Sequence, residues 1–487
     1  MVSFLYLNKL PSDGDYEFPR LIYHLSIDRA FSDICADVNK KEYFYSVISR
    51  ISQDVNEIEY RKNILHEFHK EPHLYSDMVS LFTRFESLHS SMGKLNKEVF
   101  HNSMSRTLSF SAAQNLIQAR AVGCKRALLF VKSFYDTLSS YEFESECFEH
   151  FRKECALIVE NENFNELVAF CSKYEDFSQS GYLDFRIQVN DSGRVGTFQC
   201  IEHRHVEIND PELKRKGFSL FRREEEKEPS VRLYPRQSEF YSKLTVTALK
   251  DISDLFTSVS QQIFDKFLHI KNELDFYYVA LKYLEYLENK NIPYCYPKFS
   301  ENGAFEIEDM YDLYLLTSRN DISQVIPNDL FCDSSQKGIL VFGGNGSGKT
   351  VFLRSLSCLQ VFAQSGLPVT ARKASLGICS QIATQFAESE KYFEEGNSAG
   401  RFEQEVKELA EMVEGLNENA LVFLNETFQS TAYAEGALGL ADILKYFTAR
   451  KIKWVLVSHL HQIKTHFEDS DVKIINSNDL GYMRSKT

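Results

Sequence analysis

The chain has 487 residues, of which 43% are hydrophobic and 25% are charged, and this predicts about three soluble domains of ordinary composition. It contains no apolar run near the roughly 20 residues of a membrane helix, no signal-peptide pattern at its start, and no close pairs among its ten cysteines, so we expect a cytoplasmic protein with no membrane partner. The net charge of −14 argues against a general nucleic-acid-binding surface, but it leaves room for a local basic groove.

The first part of the chain is predicted to be helical. Apolar residues recur at helical spacing over residues 30–177, where glycine is scarce and Pro72 is the main interruption. We therefore assign residues 1–177 to an N-terminal segment and a helical core domain.

Residues 178–237 have a different pattern. Strand-like alternation on both sides of "NDSG" predicts a hairpin, and a charged segment follows it. Within that segment "KRKGFSLFRR" (214–223) combines basic and aromatic residues that suit contact with a nucleic-acid backbone. A solvated loop of mixed charge is the alternative, because "EEEKE" follows directly. We interpret residues 178–237 as a β-rich, charged insertion and a candidate clamp.

Residues 238–291 contain neither glycine nor proline, and their apolar side chains recur every three or four positions. This pattern predicts one long helix, or a closely joined pair, with an apolar face. If continuous, its roughly 50 residues would extend about 75 Å at about 1.5 Å per residue. That length indicates a lever as well as a core-packing helix.

From residue 292 to 487, short β-branched runs alternate with helices, which predicts an α/β domain. "GILVF", "ALVFL" and "KWVLVS" are typical of buried parallel strands. The first of them leads into "GGNGSGKT", which fits the G-x-x-x-x-G-K-[ST] spacing of a P-loop and is followed by a helix. The strand and helix on either side argue against a chance glycine-rich turn.

A P-loop binds phosphate because its backbone N–H groups point at the β-phosphate. Lys349 would reach the β- and γ-phosphate oxygens, and the Thr350 hydroxyl would bind Mg²⁺. The predicted nucleotide-binding residues of the loop are Gly343, Gly344, Asn345, Gly346, Ser347, Gly348, Lys349, Thr350 and Val351.

Two other strands are predicted to deliver polar residues beside this loop. "ALVFLNE" ends in Asn425 and Glu426, and we expect Glu426 to polarise the attacking water. Asn425 stands where an aspartate usually orders the water shell of Mg²⁺, so we expect weaker metal binding and slow hydrolysis. "KWVLVSH" ends in His459, which is a candidate contact for the γ-phosphate. The alternatives are a strand end without a catalytic role and a histidine with ordinary loop partners.

The segment "EGNSAGRFEQEVKELAEM" is predicted to begin a helix at Ser398 and Gly400. The amides of a helix N-terminus can bind an anion, and a plain helix start is the alternative reading.

Together these motifs resemble the MutS family of DNA mismatch-repair ATPases. In sequence order "VIPND" is similar to the family's "VPND", "FGGNGSGKT" to "TGPNMGGKS", "GRFEQE" to "STFMVE", "NETFQSTAYAEG" to "DEIGRGTSTYDG", and "LVSHLHQI" to "ATHYHEL". The short interval between Lys349 and Asn425 differs from SMC-type ATPases, which place a long coiled coil there. The resemblance extends over residues 30–487 and is strongest from about residue 320.

The resemblance implies a multidomain α plus α/β protein, with a helical core and lever followed by an ABC-type ATPase domain that binds ATP and Mg²⁺. It places Asn328 beside the adenine, and Ser398 and Gly400 in the nucleotide site of a second subunit. The partner would be another copy of the chain or a related ATPase. Asn425 and Gly400 depart from the family's aspartate and signature serine, which implies slow hydrolysis.

The resemblance also implies a role in DNA repair, in which the ATP cycle clamps DNA. We expect no mismatch-reading domain before residue 30 and no helix-turn-helix dimerisation tail after His459, so branched or damaged DNA is the expected ligand. The alternative function is an ATP-gated protein scaffold with weak or no hydrolysis and no direct nucleic-acid binding.

Overall fold

A computed structural model describes residues 3–7, 18–103, 110–175, 181–189, 195–205, 235–300, 303–319, 321–386, 398–428, 433–468 and 471–481. The chain divides into two compact units. The helical unit contains Glu71–Lys271, and the α/β unit contains Ser3–Lys70 and Asn272–Thr487. Within the described residues, no helix is long and apolar enough to cross a membrane.

The N-terminal part of the α/β unit consists of four helices, and the chain then enters the helical unit. The four are α1 (Phe18–His24), α2 (Ile27–Ile34), α3 (Val38–Ile48) and α4 (Val55–Lys70). Asp37 caps α3 by accepting a hydrogen bond from the Lys40 amide. The next helix begins at Pro72, as expected for a proline in the first turn.

The helical unit is built around one central helix, α6. Its helices are α5 (Pro72–Ser103), α6 (Phe110–Ser139), α7 (Glu149–Val159), α8 (Phe164–Glu175) and α9 (Pro235–Phe267), with a short 3₁₀ helix at Glu146–Phe148. Helix α6 packs against the other four α-helices. Phe85 stacks on Phe130 with ring centroids 3.7 Å apart, and Phe82 meets Phe134 edge to face. The predicted helical character of this part of the chain is confirmed.

The predicted hairpin is also present. Strands β1 (Gly181–Val189) and β2 (Val195–His205) pair in antiparallel fashion, with an irregularity in register between Asp184 and Phe185. The basic segment 214–223 lies outside the described residues, so its role as a clamp stays a prediction.

The glycine-free stretch 238–291 forms a closely joined pair of helices, one of the two predicted forms. Helix α9 ends at Phe267, and α10 (Ile270–Asn289) begins after Leu268 and His269. The alternative prediction, a single continuous helix of about 75 Å, is therefore wrong. No glycine or proline marks the break, so the sequence carries no local signal for it.

The compact units differ from the predicted domain layout at two places. Residues 3–70 pack within the α/β unit, although they were predicted to belong to the helical core domain 1–177, and the predicted lever 238–291 is divided after Lys271. The assignment of these parts to core, clamp and lever functions stays a prediction.

The α/β unit contains two sheets. Its remaining strands are β3 (Lys298–Ser300), β4 (Phe305–Met310), β5 (Asn328–Cys332), β6 (Gly338–Phe342), β7 (Lys373–Gly377), β8 (Ile382–Phe386), β9 (Leu421–Asn425), β10 (Lys453–Ser458) and β11 (Val472–Asn476). Its remaining helices are α11 (Leu313–Ser318), α12 (Lys349–Ala363), α13 (Ser398–Glu414), α14 (Tyr433–Ala449) and α15 (Gln462–Thr465), with 3₁₀ turns at Ile322–Gln324 and Ser477–Asp479.

The larger sheet has the strand order β11-β6-β10-β9-β8, and all four of its pairings are parallel. Strands β6 and β9, on either side of the central strand β10, are buried along their whole length, which explains their continuous apolar sequences. The smaller sheet has the order β3-β7-β4-β5 and mixes parallel and antiparallel pairs. The three predicted buried parallel strands are thus confirmed.

The N-terminal residues are bound tightly into the α/β unit by long-range hydrogen bonds. Ser3 Oγ and the Phe4 amide donate to the two carboxylate oxygens of Glu273 on α10, at 2.6 and 2.5 Å. Burial raises the pKa of this carboxyl group to about 8. In a second link the fully buried Gln364 donates from Nε2 to the Ser52 carbonyl at 2.8 Å. These bonds attach the first 70 residues to the later part of the chain at two points, Ser3–Phe4 and Ser52.

Gly338 packs directly against the only tryptophan of the chain. A Cβ atom on Gly338 would lie 2.3 Å from the ring of Trp454, which is itself buried and contacts Phe467. A rigid ring enclosed on several sides cannot move away at low cost.

We expect Gly338→Ala to lower the free energy of unfolding of the α/β unit by about 1–3 kcal/mol through overpacking. The fluorescence of Trp454 reports thermal unfolding of this unit. The matched control is Gly439→Ala, because no atom lies within 4 Å of the added methyl group. Equal melting temperatures for the two variants would contradict the prediction.

Helix α1 contacts the edge strand β8 through a half-buried histidine. His24 Nδ1 lies 2.9 Å from Thr384 Oγ1, and the imidazole ring stacks on Phe386 with centroids 5.2 Å apart. Burial, with a smaller contribution from the charge of Arg20, lowers the pKa of His24 from 6.5 to about 4. His24 is therefore neutral in the folded protein near pH 7.

The folded state should lose stability as the pH falls from about 6.5 to about 4. In this range His24 is protonated in the unfolded chain but remains neutral in the folded protein. The full loss is on the order of 3 kcal/mol, at about 1.4 kcal/mol per pKa unit. His24→Gln should flatten the dependence of the Trp454 melting temperature on pH over this window. The exposed His466→Gln is the matched control. An unchanged pH profile for His24→Gln would contradict the assignment.

Candidate nucleotide-binding site

The glycine-rich loop joins the end of β6 to the start of α12. Its backbone needs glycine at three positions, since φ is 152° at Gly343, 73° at Gly346 and 91° at Gly348. A Cβ atom on Gly343 would also lie 1.7 Å from Ser477 Oγ, just after β11. The loop ends where the N-terminal amides of α12 begin, and such a terminus favours an anion.

Lys349 is held inside this loop. Its ammonium group donates to the Gly344 carbonyl at 2.8 Å and lies 3.4 Å from Glu426 Oε1, and only 4% of the side chain is exposed. Ser347 Oγ donates to the same carbonyl at 2.7 Å. The buried positive charge is therefore fixed at the loop that has the geometry to surround a phosphate.

Thr350 and Asn425 contact each other at the first turn of α12. The Thr350 hydroxyl donates to Asn425 Oδ1 at 3.0 Å, and Asn425, the last residue of β9, is 9% exposed. The hydroxyl and amide oxygens are hard donors of the kind that Mg²⁺ prefers, so these residues fit the metal. Their pair has no negative charge. A Mg²⁺ ion here would therefore depend on phosphate oxygens and water for its other ligands.

Glu426 connects the lysine with the histidine that follows β10. Its Oε1 atom faces Lys349, and its Oε2 atom lies 2.6 Å from His459 Nδ1, a hydrogen-bond distance. The Glu426 amide donates to the Val457 carbonyl at 2.9 Å, and the residue has a φ of 56°, in the left-handed region. The turn after β9 thus aims the carboxylate at both neighbours.

The structure brings five of the predicted site residues together in one subunit: Lys349, Thr350, Asn425, Glu426 and His459. They come from the carboxyl ends of the adjacent strands β6, β9 and β10 and from the helix start that follows β6. Ligand sites of parallel α/β sheets lie at this edge. Their catalytic roles stay predictions.

The other predicted residues lie elsewhere or lack described side chains. Asn328, which is buried at the start of β5, accepts a hydrogen bond from the Gly481 amide at 2.9 Å, so it has a structural partner in this chain. Its contact with adenine stays a prediction. Ser398 and Gly400 lie in the first turn of α13, as predicted, and their side-chain environment is outside the described part of the chain.

One residue that contacts the turn after β9, residues 426–428, was not among the predicted site residues. Glu405 of α13 accepts a hydrogen bond from the Phe428 amide at 3.0 Å. Its only sequence signal is its position in "GRFEQE", the segment that begins at Gly400.

These features together define an α/β domain of the P-loop ATPase type. They are a buried parallel strand, a glycine-rich loop that contacts a buried lysine, the start of a helix, and polar residues at the ends of neighbouring strands. Residues 339–479 match the family model described as MutS domain V. This match and the similar proteins below support a MutS-family protein.

Several proteins named "Endonuclease MutS2" are similar to part of this chain. The protein of Streptococcus sanguinis is 28% identical over 227 residues, which cover 46% of this chain and 27% of that protein. The protein of Streptococcus gordonii is 32% identical over 175 residues (35% and 22%), and that of Finegoldia magna is 27% identical over 221 residues (45% and 26%). The chain spans about a quarter of the length of these relatives.

Proposed function

We propose that this protein binds ATP and Mg²⁺, hydrolyses ATP slowly, and uses the cycle to clamp DNA. The observation that carries the proposal is the chain of contacts from Lys349 through Glu426 to His459, beside the Thr350–Asn425 pair. It combines a cation for phosphate oxygens with a carboxylate that can act on water. Both lie at the glycine-rich loop, where the Lys349 side chain is 4% exposed and that of Glu426 is 12% exposed.

Each residue then has a defined task. Lys349 exchanges its contact with the Gly344 carbonyl for the β- and γ-phosphate oxygens. Glu426 orients the attacking water and accepts its proton, and His459 holds the Glu426 carboxylate or the γ-phosphate. A bound Mg²⁺ would neutralise charge on the phosphates. Thr350 and Asn425 would hold it, and the neutral amide explains why slow turnover is expected.

The proposed composite site and ligand rest on the similarity to the MutS family. Proteins of this family generally act as dimers and bind DNA, so we propose that Ser398 and Gly400 of α13 complete the nucleotide site of a second subunit. That subunit is a second copy of this chain or a related ATPase. The relatives' name supports a role in DNA metabolism, with branched or damaged DNA as the proposed ligand.

A second candidate is an ATP-gated protein scaffold with little hydrolysis and no DNA binding. Two observations favour it: Asn425 provides no negative charge for the metal, and the net charge of the chain is −14.

The deciding experiment measures ATP turnover by the purified full chain, alone and with duplex, branched and single-stranded DNA. Stimulation by one DNA form, lost in Glu426→Gln, would support the DNA clamp. ATP binding without turnover, and without retention on any DNA, would reject the clamp in favour of the scaffold. Absence of ATP binding would reject both.

A further inference from the structure

We infer that Glu405 is a positioning residue for Glu426, so that helix α13 controls the setting of the catalytic glutamate in its own subunit. The inference rests on the proposed function, in which Glu426 acts on the attacking water. It adds a link inside one chain between the helix that opens with Ser398 and the turn that follows β9.

The turn that carries Glu426 has an unusual backbone. Glu426 and Phe428 have φ values of 56° and 64°, and neither is a glycine. This left-handed backbone conformation is unfavourable for residues other than glycine, and it persists only when the surrounding structure holds it in place. Something outside the turn must therefore stabilise it.

Two hydrogen bonds hold the turn from opposite sides. At its start the Glu426 amide donates to the Val457 carbonyl of β10 at 2.9 Å. At its end the Phe428 amide donates to Glu405 Oε2 at 3.0 Å. The first acceptor belongs to the sheet, whereas the second is a side chain on α13. A hydrogen bond to a carboxylate is also stronger than one between neutral groups.

A buried glutamine adds a second connection to the same helix. Gln385, at 8% exposure, donates from Nε2 to the Glu405 carbonyl at 3.2 Å and accepts from Thr427 Oγ1 at 3.3 Å. The Phe428 side chain lies in one hydrophobic cluster with Leu409, one turn further along α13. Both the backbone and the side chains of residues 427–428 thus depend on the position of α13.

The consequence is a coupling that works in both directions. Any event that shifts the beginning of α13 moves the acceptor of the Phe428 amide and changes where the Glu426 carboxylate points. Conversely, a change at Glu426 is transmitted to the start of the helix. A subunit would then adjust its own catalytic turn when its α13 engages a partner.

The test compares three substitutions of Glu405 in the full chain. Glu405→Leu removes the acceptor. Glu405→Asp keeps the charge but is one methylene too short to maintain the contact, and Glu405→Gln keeps a neutral acceptor in reach. Glu411→Leu, an exposed glutamate on the same helix, is the matched control. Circular dichroism identifies the variants that fold. If Glu405→Leu does not fold, Glu405→Asp decides the test.

Two readouts separate positioning from a general structural role. Hydrogen exchange in peptides that contain residues 424–428 should accelerate at least about tenfold in the Leu and Asp variants, since an opened hydrogen bond exposes the amide. The kcat for ATP should fall about 100-fold, as for a misplaced catalytic group, while KM changes little. Glu405→Gln should keep most of the wild-type exchange protection and most of the wild-type kcat. The control Glu411→Leu should match the wild type in both measurements.

Unchanged exchange in Glu405→Leu and Glu405→Asp would overturn the inference, and so would faster exchange with an unchanged kcat. If the wild type binds ATP without turnover, the proposed hydrolysis fails. Exchange at residues 424–428 then still decides whether Glu405 holds the turn.

Discussion

Glu426→Gln should lower the ATP turnover number by at least about 100-fold, with the affinity for ATP changed by no more than about threefold. The amide has nearly the shape of the carboxylate and can still contact His459, but it cannot accept a proton from water. It also no longer pairs electrostatically with Lys349, which leaves the lysine free for phosphate oxygens.

The measurements are phosphate release and the binding of a fluorescent ATP analogue. Glu418→Gln is the control, because Glu418 is an exposed glutamate that contacts Lys451 at the surface. If the turnover number of Glu426→Gln lies within a few fold of the wild-type value, Glu426 takes no part in hydrolysis. Loss of binding and turnover together would assign it a structural role in the loop.

Asn425→Asp should have the opposite effect and lower the Mg²⁺ concentration that gives half-maximal turnover by about tenfold, which corresponds to about 1.4 kcal/mol. An aspartate can still accept the hydrogen bond of the Thr350 hydroxyl, and it adds a negative charge close to the proposed metal position. Turnover at saturating Mg²⁺ should rise as well.

The added charge also has a cost that can be measured independently of catalysis. Two adjacent carboxylates at positions 425 and 426 repel each other, so without Mg²⁺ the variant should melt at a lower temperature than the wild type. Adding Mg²⁺ and ATP should reverse the difference. Asn289→Asp, at the exposed end of α10, is the control. An unchanged Mg²⁺ requirement would show that Asn425 is not near the metal.

The features that could be predicted from the sequence are those with local signals. The P-loop and its flanking strands were predicted because glycine spacing, β-branched runs and helix starts are all short-range patterns. The meeting of Lys349, Glu426 and His459 could also be anticipated, since neighbouring parallel strands end at one edge of a sheet.

The remaining features depend on contacts between distant positions. The partner of Asn328 is the amide of Gly481, and the acceptor for Phe428 lies on a separate helix. The break between α9 and α10 has no glycine or proline to mark it. Residues 30–70 carry the same helical periodicity as the residues that follow them, so periodicity alone could not separate the two compact units.

The α/β unit is assembled from two stretches of chain that are interrupted by the whole helical unit, and this affects how the protein is made. The bonds from Ser3 to Glu273 and from Gln364 to Ser52 span 270 and 312 positions. During synthesis helices α1–α4 emerge long before their packing partners, while the helical unit can fold as soon as it is complete. Contacts of such high sequence separation form slowly. We therefore expect the α/β unit to be the last to mature, and shortened proteins that begin after Lys70 to be poor material for nucleotide-binding experiments.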